Sequence, residues 1–350
     1  MGTNPSLVCF LQSSELCCVT FRAGYLCCWS PVFVYDLFDL GRSRHPAVAQ
    51  RPPLGEFQNA TTYPNEQHAN VTKYLHQAAE LSSDAFINSF FQEKCIIDQA
   101  YPPMFDVVPV FVNPFSPFDN LFFVGHTVVS AWAYNTTEGI VLIDSLDNPE
   151  EVEAVLIPGL ESVGLSGEDI KHLIITHEHD DHYGSVKYVQ DKFHPKVYAS
   201  ETAWEGMEAM GPDADPPVPA RDQVLSDSQD LTVGGVTFHI VLTPGHTPGK
   251  PHIAGLSGGS GDPKEPYWIG QKIISQYRFG RIAKAQGVDT LISNHQSVDH
   301  ALWKADLLAY RVPGELNPFV IRSENYEKYM QTQAICSRVI AARKGLDLPV

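Results

Sequence analysis

The run Ile174-Ile175-Thr176-His177-Glu178-His179-Asp180-Asp181-His182-Tyr183-Gly184 places three histidines and Asp181 almost side by side, directly after an apolar stretch. Imidazole nitrogens and carboxylate oxygens are donors that suit Zn2+, and Fe or Mn also accept them. His177 and His179 stand two apart, so in an extended chain they project to one side and can chelate one metal together. Asp181 and His182 follow as the loop turns into a helix, where they can face a second metal nearby. A single surface histidine is usually solvated, but a cluster this dense reads as a metal site.

Two distant histidines complete the set. His246 lies in Thr243-Pro244-Gly245-His246-Thr247-Pro248-Gly249, and His295 follows Ser293-Asn294. Each comes at the end of an expected strand (236–243 and 291–293), where strand ends can deliver ligands to a shared rim. Tyr183 and His126 are pocket candidates. His172, His239 and His252 fall on expected strands and read as structural.

The elements around these residues have readable periods. Helical spacing over 70–93 predicts one or two helices. Five prolines over 101–120 predict irregular chain. Strands are expected over 121–124, 128–134 and 140–144, with a turn at 135–139. A helix over 149–163 carries Glu150, Glu151 and Glu153 in its first turn and reads as a solvated acidic face. Strands at 172–176, 196–199 and 253–256, and helices over 183–191, 201–210 and 267–286 and from about 302 and 323, complete the pattern. Strands alternate with helices but hairpins occur too, so the fold class is α/β, an αββα sandwich of two mixed sheets with outer helices. The expected organisation is an N-terminal segment and linker over 1–65, a helical and proline-rich lead-in over 66–120, and the main domain over 121–345.

Net charge is −17, which opposes contact with phosphate backbones, so the expected partner is a small-molecule substrate and not nucleic acid. Five of the seven cysteines fall before residue 29, and no CxxC occurs. Cys95 and Cys336 either pair or remain buried thiols. The apolar run over 16–35 is long enough to cross a membrane but holds Arg22 and Pro31, and it lacks the basic start of a secretory signal. Sequons at Asn59, Asn70 and Asn135, with the possible Cys95–Cys336 bond, lean toward an exported protein. Oligomeric state is not readable.

The chain resembles the metallo-β-lactamase superfamily over about 70–341, in particular its all-histidine third subclass and related fungal secreted-type hydrolases. Val124-Gly125-His126, Ser130-Ala131-Trp132 and Ser293-Asn294-His295 look like theirs. The resemblance implies two zinc ions, one on His177, His179 and His246 and the other on Asp181, His182 and His295. It implies that Asp144 supports the metal loop and that Ser260 lies near the pocket, with Asp262 as an alternative bridging ligand. It implies hydrolysis of an ester-, lactone-, thioester- or lactam-type carbonyl by metal-activated water, with Asp181 orienting the nucleophile. A diiron redox protein on the same fold would want a more acidic ligand set. In one respect the chain departs from the family: Gly249 runs straight into Lys250, where about a dozen residues of strand are expected. The alternative reading is therefore a non-catalytic or impaired member lacking a core strand.

Overall fold

The computed structural model describes residues 63–100, 109–247, 251–253 and 265–348, all in one compact unit. The apolar run over 16–35, the N-terminal cysteines, Asn59, Ser260 and Asp262 lie outside the described residues, as does the side chain of His252.

Seven strands form the larger sheet in chain order: β1 (Phe111–Phe118), β2 (Leu121–His126), β3 (Ser130–Thr136), β4 (Gly139–Ile143), β5 (Ile170–Ile174), β6 (Lys196–Ser200) and β7 (Gln223–Leu225). β1 to β4 form an antiparallel meander, and β4 to β7 pair in parallel. The smaller sheet orders β10 (Pro251–Ile253), β9 (Val236–Leu242) and β8 (Asp230–Val233), and its described pairings are antiparallel.

Side-chain alternation shows the layers. In β3 and β4, Ala131, Ala133, Ile140 and Leu142 face one core, while Trp132, Tyr134, Val141 and Ile143 face another. The first core also takes Leu156, Leu160, Val189 and Trp204 from the helical segments over 149–162, 186–193 and 201–208. The second takes Phe238 and Ile240 of β9, so it lies between the sheets. A third joins Val241 on the other face of β9 to Phe279, Tyr329 and Met330 of helices Pro266–Ala285 and Ser323–Arg343. This is the αββα sandwich that period-2 patterning implies.

The stretch over 101–120 is not irregular throughout, because Phe111–Phe118 is strand despite Pro114 and Pro117. β1 is an edge strand, and its register to β2 shifts twice, so prolines cost it no central ladder. Among the described residues the expected strand over 291–293 is reduced to isolated bridges, at Ile292 and, just before it, between Thr290 and Val320. The chain beyond Gly249 returns at once as β10, with Pro251 opposite Leu242. Among the described residues no helix is long and apolar enough to cross a membrane. Cys95 and Cys336 are disulfide-bonded, joining the helical turn over 92–97 to helix Ser323–Arg343.

Candidate metal centre

Parallel pairing sets Ile143 of β4 opposite Ile174 of β5, so the two strands end side by side. Asp144 leaves the first end with φ 59°, and Leu146 follows at φ 73°. Such left-handed non-glycine residues are strained, and strain of this kind collects at functional sites. The wholly buried Asp144 carboxylate gathers four donors: Thr176 N (2.7 Å), Thr176 Oγ1 (2.6 Å), His182 Nδ1 (2.7 Å) and Asn294 Nδ2. A buried charge needs partners of this kind. These contacts tie together the ends of β4 and β5, the turn after the motif and the segment before His295.

The same contacts fix ring tautomers. Thr176 Oγ1 gives its proton to Asp144, so it accepts from His177 Nδ1 (3.1 Å). The lone pair of His177 is then on Nε2, 3.2 Å from His179 Nδ1. His246 Nε2 lies 3.2 Å from that same His179 atom. His182 donates from Nδ1 to Asp144, and His295 donates from Nδ1 to Val128 O (3.2 Å). Their Nε2 lone pairs therefore face each other at 3.0 Å, and Asp181 Oδ2 lies 3.4 and 3.3 Å from them. Three lone-pair donors this close repel one another unless a cation or a proton lies among them.

The structure thus brings the six residues into two groups, His177 with His179 and His246, and Asp181 with His182 and His295, each with its ligand atoms within 4.8 Å of one another. The groups adjoin, since the His177 and His182 rings are 4.0 Å apart. His177 and His182 are fully buried, while His179 is exposed to the approach side. All-nitrogen and nitrogen–carboxylate sets of this size fit divalent zinc.

The loop carrying His246 is tightly placed. Gly245 has φ 136°, and a Cβ there would come within 2.2 Å of Lys272 N in helix Pro266–Ala285, so glycine is required. Thr247 Oγ1 donates to the buried Glu178 (2.9 Å), which binds this loop to the motif itself. On the other side, Asp299 accepts from Ser293 N (2.7 Å) and Ala301 N (3.0 Å), and Trp132 Nε1 donates to Ser293 O (2.9 Å). The short route from Gly249 to Lys250 does not keep His246 from the first group.

Other candidates fall elsewhere. Tyr183 is not a pocket residue. It is buried in the core and donates to Met210 Sδ (2.9 Å), and burial, then the charge of Asp180, raises its pKa. His172 packs on Tyr198 and His239 pairs with Asp230. Burial, then Lys196, keeps the pKa of His172 low. His126 is buried beside Asp147 (3.4 Å) and Glu151 (3.6 Å). Glu151 thus turns inward from the helix read as a solvated face, and it also accepts from Asp147 N (3.0 Å). Burial opposes a charge on His126, but the two adjacent carboxylates outweigh it and raise the pKa to about 9. Nothing local marks Asp147, Glu151 or Asp299 as parts of this framework. Each meets a partner that only the fold brings close, and adjacency to the candidate ligand histidines, which Thr176, Glu178, Thr247 and Asn294 share, is the one signal in the sequence.

Residues 124–259 match the family model of the metallo-beta-lactamase superfamily. Curated relatives include hydroxyacylglutathione hydrolases of Pseudomonas fluorescens (36% identical over 83 residues, 24% of this chain and 28% of that protein) and Chromohalobacter salexigens (29% over 120 residues, 34% and 38%). The chain therefore matches only about a third of the length of these relatives. Similar solved structures include a metallo-β-lactamase of Cronobacter sakazakii (25% identical, TM-score 0.56, covering 67% of this chain and 96% of that one). Another is BJP-1, a subclass B3 metallo-β-lactamase of Bradyrhizobium japonicum (21%, TM-score 0.52, 64% and 90%). Residues 124–259 thus match the metallo-beta-lactamase superfamily, and the fold around them is that of the similar solved structures.

Proposed function

We propose that the protein is a metal-dependent hydrolase that holds two zinc ions and cleaves a small-molecule carbonyl of the ester, lactone, thioester or lactam type. The observation that carries this reading is the pair of adjacent donor groups, with the ligand atoms of each within 4.8 Å of one another. Bound zinc would supply Lewis acidity and a water acidic enough to attack at neutral pH. The chain's own part is to hold those donors ready. His177, His179 and His246 form one set, and Asp181, His182 and His295 form the other. Asp181 Oδ2, within 3.4 Å of both histidines of its group, is placed to orient the nucleophile and take its proton. The Asp144 network keeps both buried rings in the tautomer that a metal requires.

Within this reading a thioester is the favoured substrate type, because the curated relatives are hydroxyacylglutathione hydrolases. The structural neighbours are β-lactamases, which keeps a lactam as the second reading. The Cys95–Cys336 bond supports export to an oxidising compartment. A panel of thioester, lactone and β-lactam substrates, assayed on zinc-loaded and chelated full-length protein, tests the proposal. Zinc-dependent turnover of one class is expected. A protein that folds, binds zinc and hydrolyses none of them contradicts it and restores the non-catalytic alternative.

A further inference from the structure

His126 is 4% exposed and stands outside both donor groups; its Nδ1 is held by the backbone, while its buried Nε2 faces two carboxylates without a hydrogen bond to either. Nδ1 lies 3.2 Å from Val128 N and 3.4 Å from Val129 N, and both peptide N–H groups point at it. Nδ1 is therefore an acceptor, and the ring proton sits on Nε2. Nε2 lies near Asp147 Oδ2 (3.4 Å) and Glu151 Oε2 (3.6 Å), close enough for charge attraction without a hydrogen bond. The two carboxylates favour a second proton on the ring, but a charged ring would set an Nδ1–H against two peptide N–H groups. The two backbone donors oppose that second proton, and Nε2 carries a proton with or without it.

The tautomer also decides what this trio is not. Asp147, Glu151 and His126 have the spacing of a third metal group. A metal would need a lone pair on Nε2, and Nε2 carries the proton.

The other end of this contact leads to the metal centre. Val128, whose N–H points at His126, receives His295 Nδ1 on its carbonyl (3.2 Å). The loop is closed on itself by His126 N to Val129 O (3.1 Å), and Ser130 N grips Asn294 O (2.9 Å). Asp147, at the far side of the trio, presses its carbonyl against Gly184 so closely that a Cβ there would lie 1.8 Å away. One buried ring thus joins the loop that aims His295 to the segment that follows Asp144 and to the turn that carries Asp181 and His182.

We propose that His126 is a positioning residue for His295: buried beside Asp147 and Glu151, it accepts from the Val128 and Val129 N–H groups and so fixes the loop over 126–129, whose Val128 carbonyl holds His295 with its Nε2 lone pair toward Asp181 and His182. The proposal rests on the reading of His295 as a metal ligand. A ligand histidine loses roughly 10–100-fold in metal affinity when the partner that orients it is removed.

The test uses the full-length protein with His126→Leu, which removes the acceptor, and His126→Asn, which keeps an oxygen where Nδ1 lies. Co2+ titrations followed by visible spectra separate the two metal affinities, and nitrogen-15 spectra of the metal-free protein report the His295 tautomer directly. In His126→Leu the affinity of the His295 group is expected to fall about 10–100-fold while that of the His177 group is unchanged. His295 should lose its uniform Nδ1–H form, and His126→Asn should restore most of both effects. If His126→Leu does not fold, the double variant Asp147→Asn/Glu151→Gln replaces it and should shift the same two readouts in the same direction. An unchanged His295 tautomer in a folded variant overturns the proposal. So does an equal weakening of both sites that Asn does not relieve. If the wild type binds no Co2+, the hydrolase reading fails, while the tautomer in the metal-free protein still decides the role of His126.

Discussion

Replacing Asp144 by Asn changes one atom at the point where the centre is tied together. Oδ1 of the carboxylate accepts from Thr176 N, and Oδ2 accepts from Thr176 Oγ1, His182 Nδ1 and Asn294 Nδ2. The amide does least harm with its oxygen in the Oδ2 position. Its NH2 then faces the Thr176 N–H donor to donor at about 2.7 Å, leaving that buried N–H unsatisfied at a cost of about 1–3 kcal/mol. The three remaining bonds lose their charge assistance, about 1 kcal/mol each, partly offset because a charge no longer has to be buried. The expected loss is about 2–4 kcal/mol in urea unfolding of the metal-free protein. Metal affinity at the His182 group should fall about 10–100-fold, because the donor that fixes His182 Nε2 as a ligand is weakened. Wild-type stability together with wild-type metal affinity would refute the reasoning, since a fully buried carboxylate with four donors could not then be holding the rings.

Three further outcomes follow from the framework. Asp299→Asn can satisfy only one of the Ser293 and Ala301 N–H groups, so chemical denaturation should show a loss of about 1–3 kcal/mol. Glu93 is held below its ordinary pKa, first by the hydrogen bond from His300 and against burial. Its contribution to stability is therefore full above pH 4.5 and is lost as pH falls through the lowered folded value. The melting-temperature gap between wild type and Glu93→Gln should be clear at pH 7 and close near pH 3. Removing the Cys95–Cys336 bond with a double Ser variant should cost roughly 2–5 kcal/mol, measured by calorimetry with and without reductant, and reductant should then have no effect on the variant.

Much of the centre is visible in the sequence because ligand chemistry and strand period are local properties. The motif from His177 to His182 declares itself by density of donors. The apolar alternation in β3 and β4 puts Trp132 and Val141 on one face and Ala133 and Leu142 on the other, as two-layer packing demands. What escapes local reading depends on neighbours distant in sequence. Pro114 and Pro117 suggest irregular chain, but a strand at a sheet edge tolerates them, and edge position is a property of the whole sheet. Glu151 has the sequence context of a solvated helix start, and only His126, brought beside it by the fold, turns it inward. Leu291 to Ser293 has the composition of a strand, but among the described residues it keeps only a bridge at Ile292, and the backbone of Ser293 is taken by Asp299 and Trp132.

The central claim is that two adjacent donor groups hold two metal ions. Elemental mass spectrometry of the full-length wild-type protein, purified with zinc and dialysed, measures this directly, with His177→Ala and His295→Ala alongside. The account predicts about two zinc ions per wild-type chain and about one in each variant, because each substitution removes a ligand from a different group. A folded wild-type protein with near-zero zinc would contradict it.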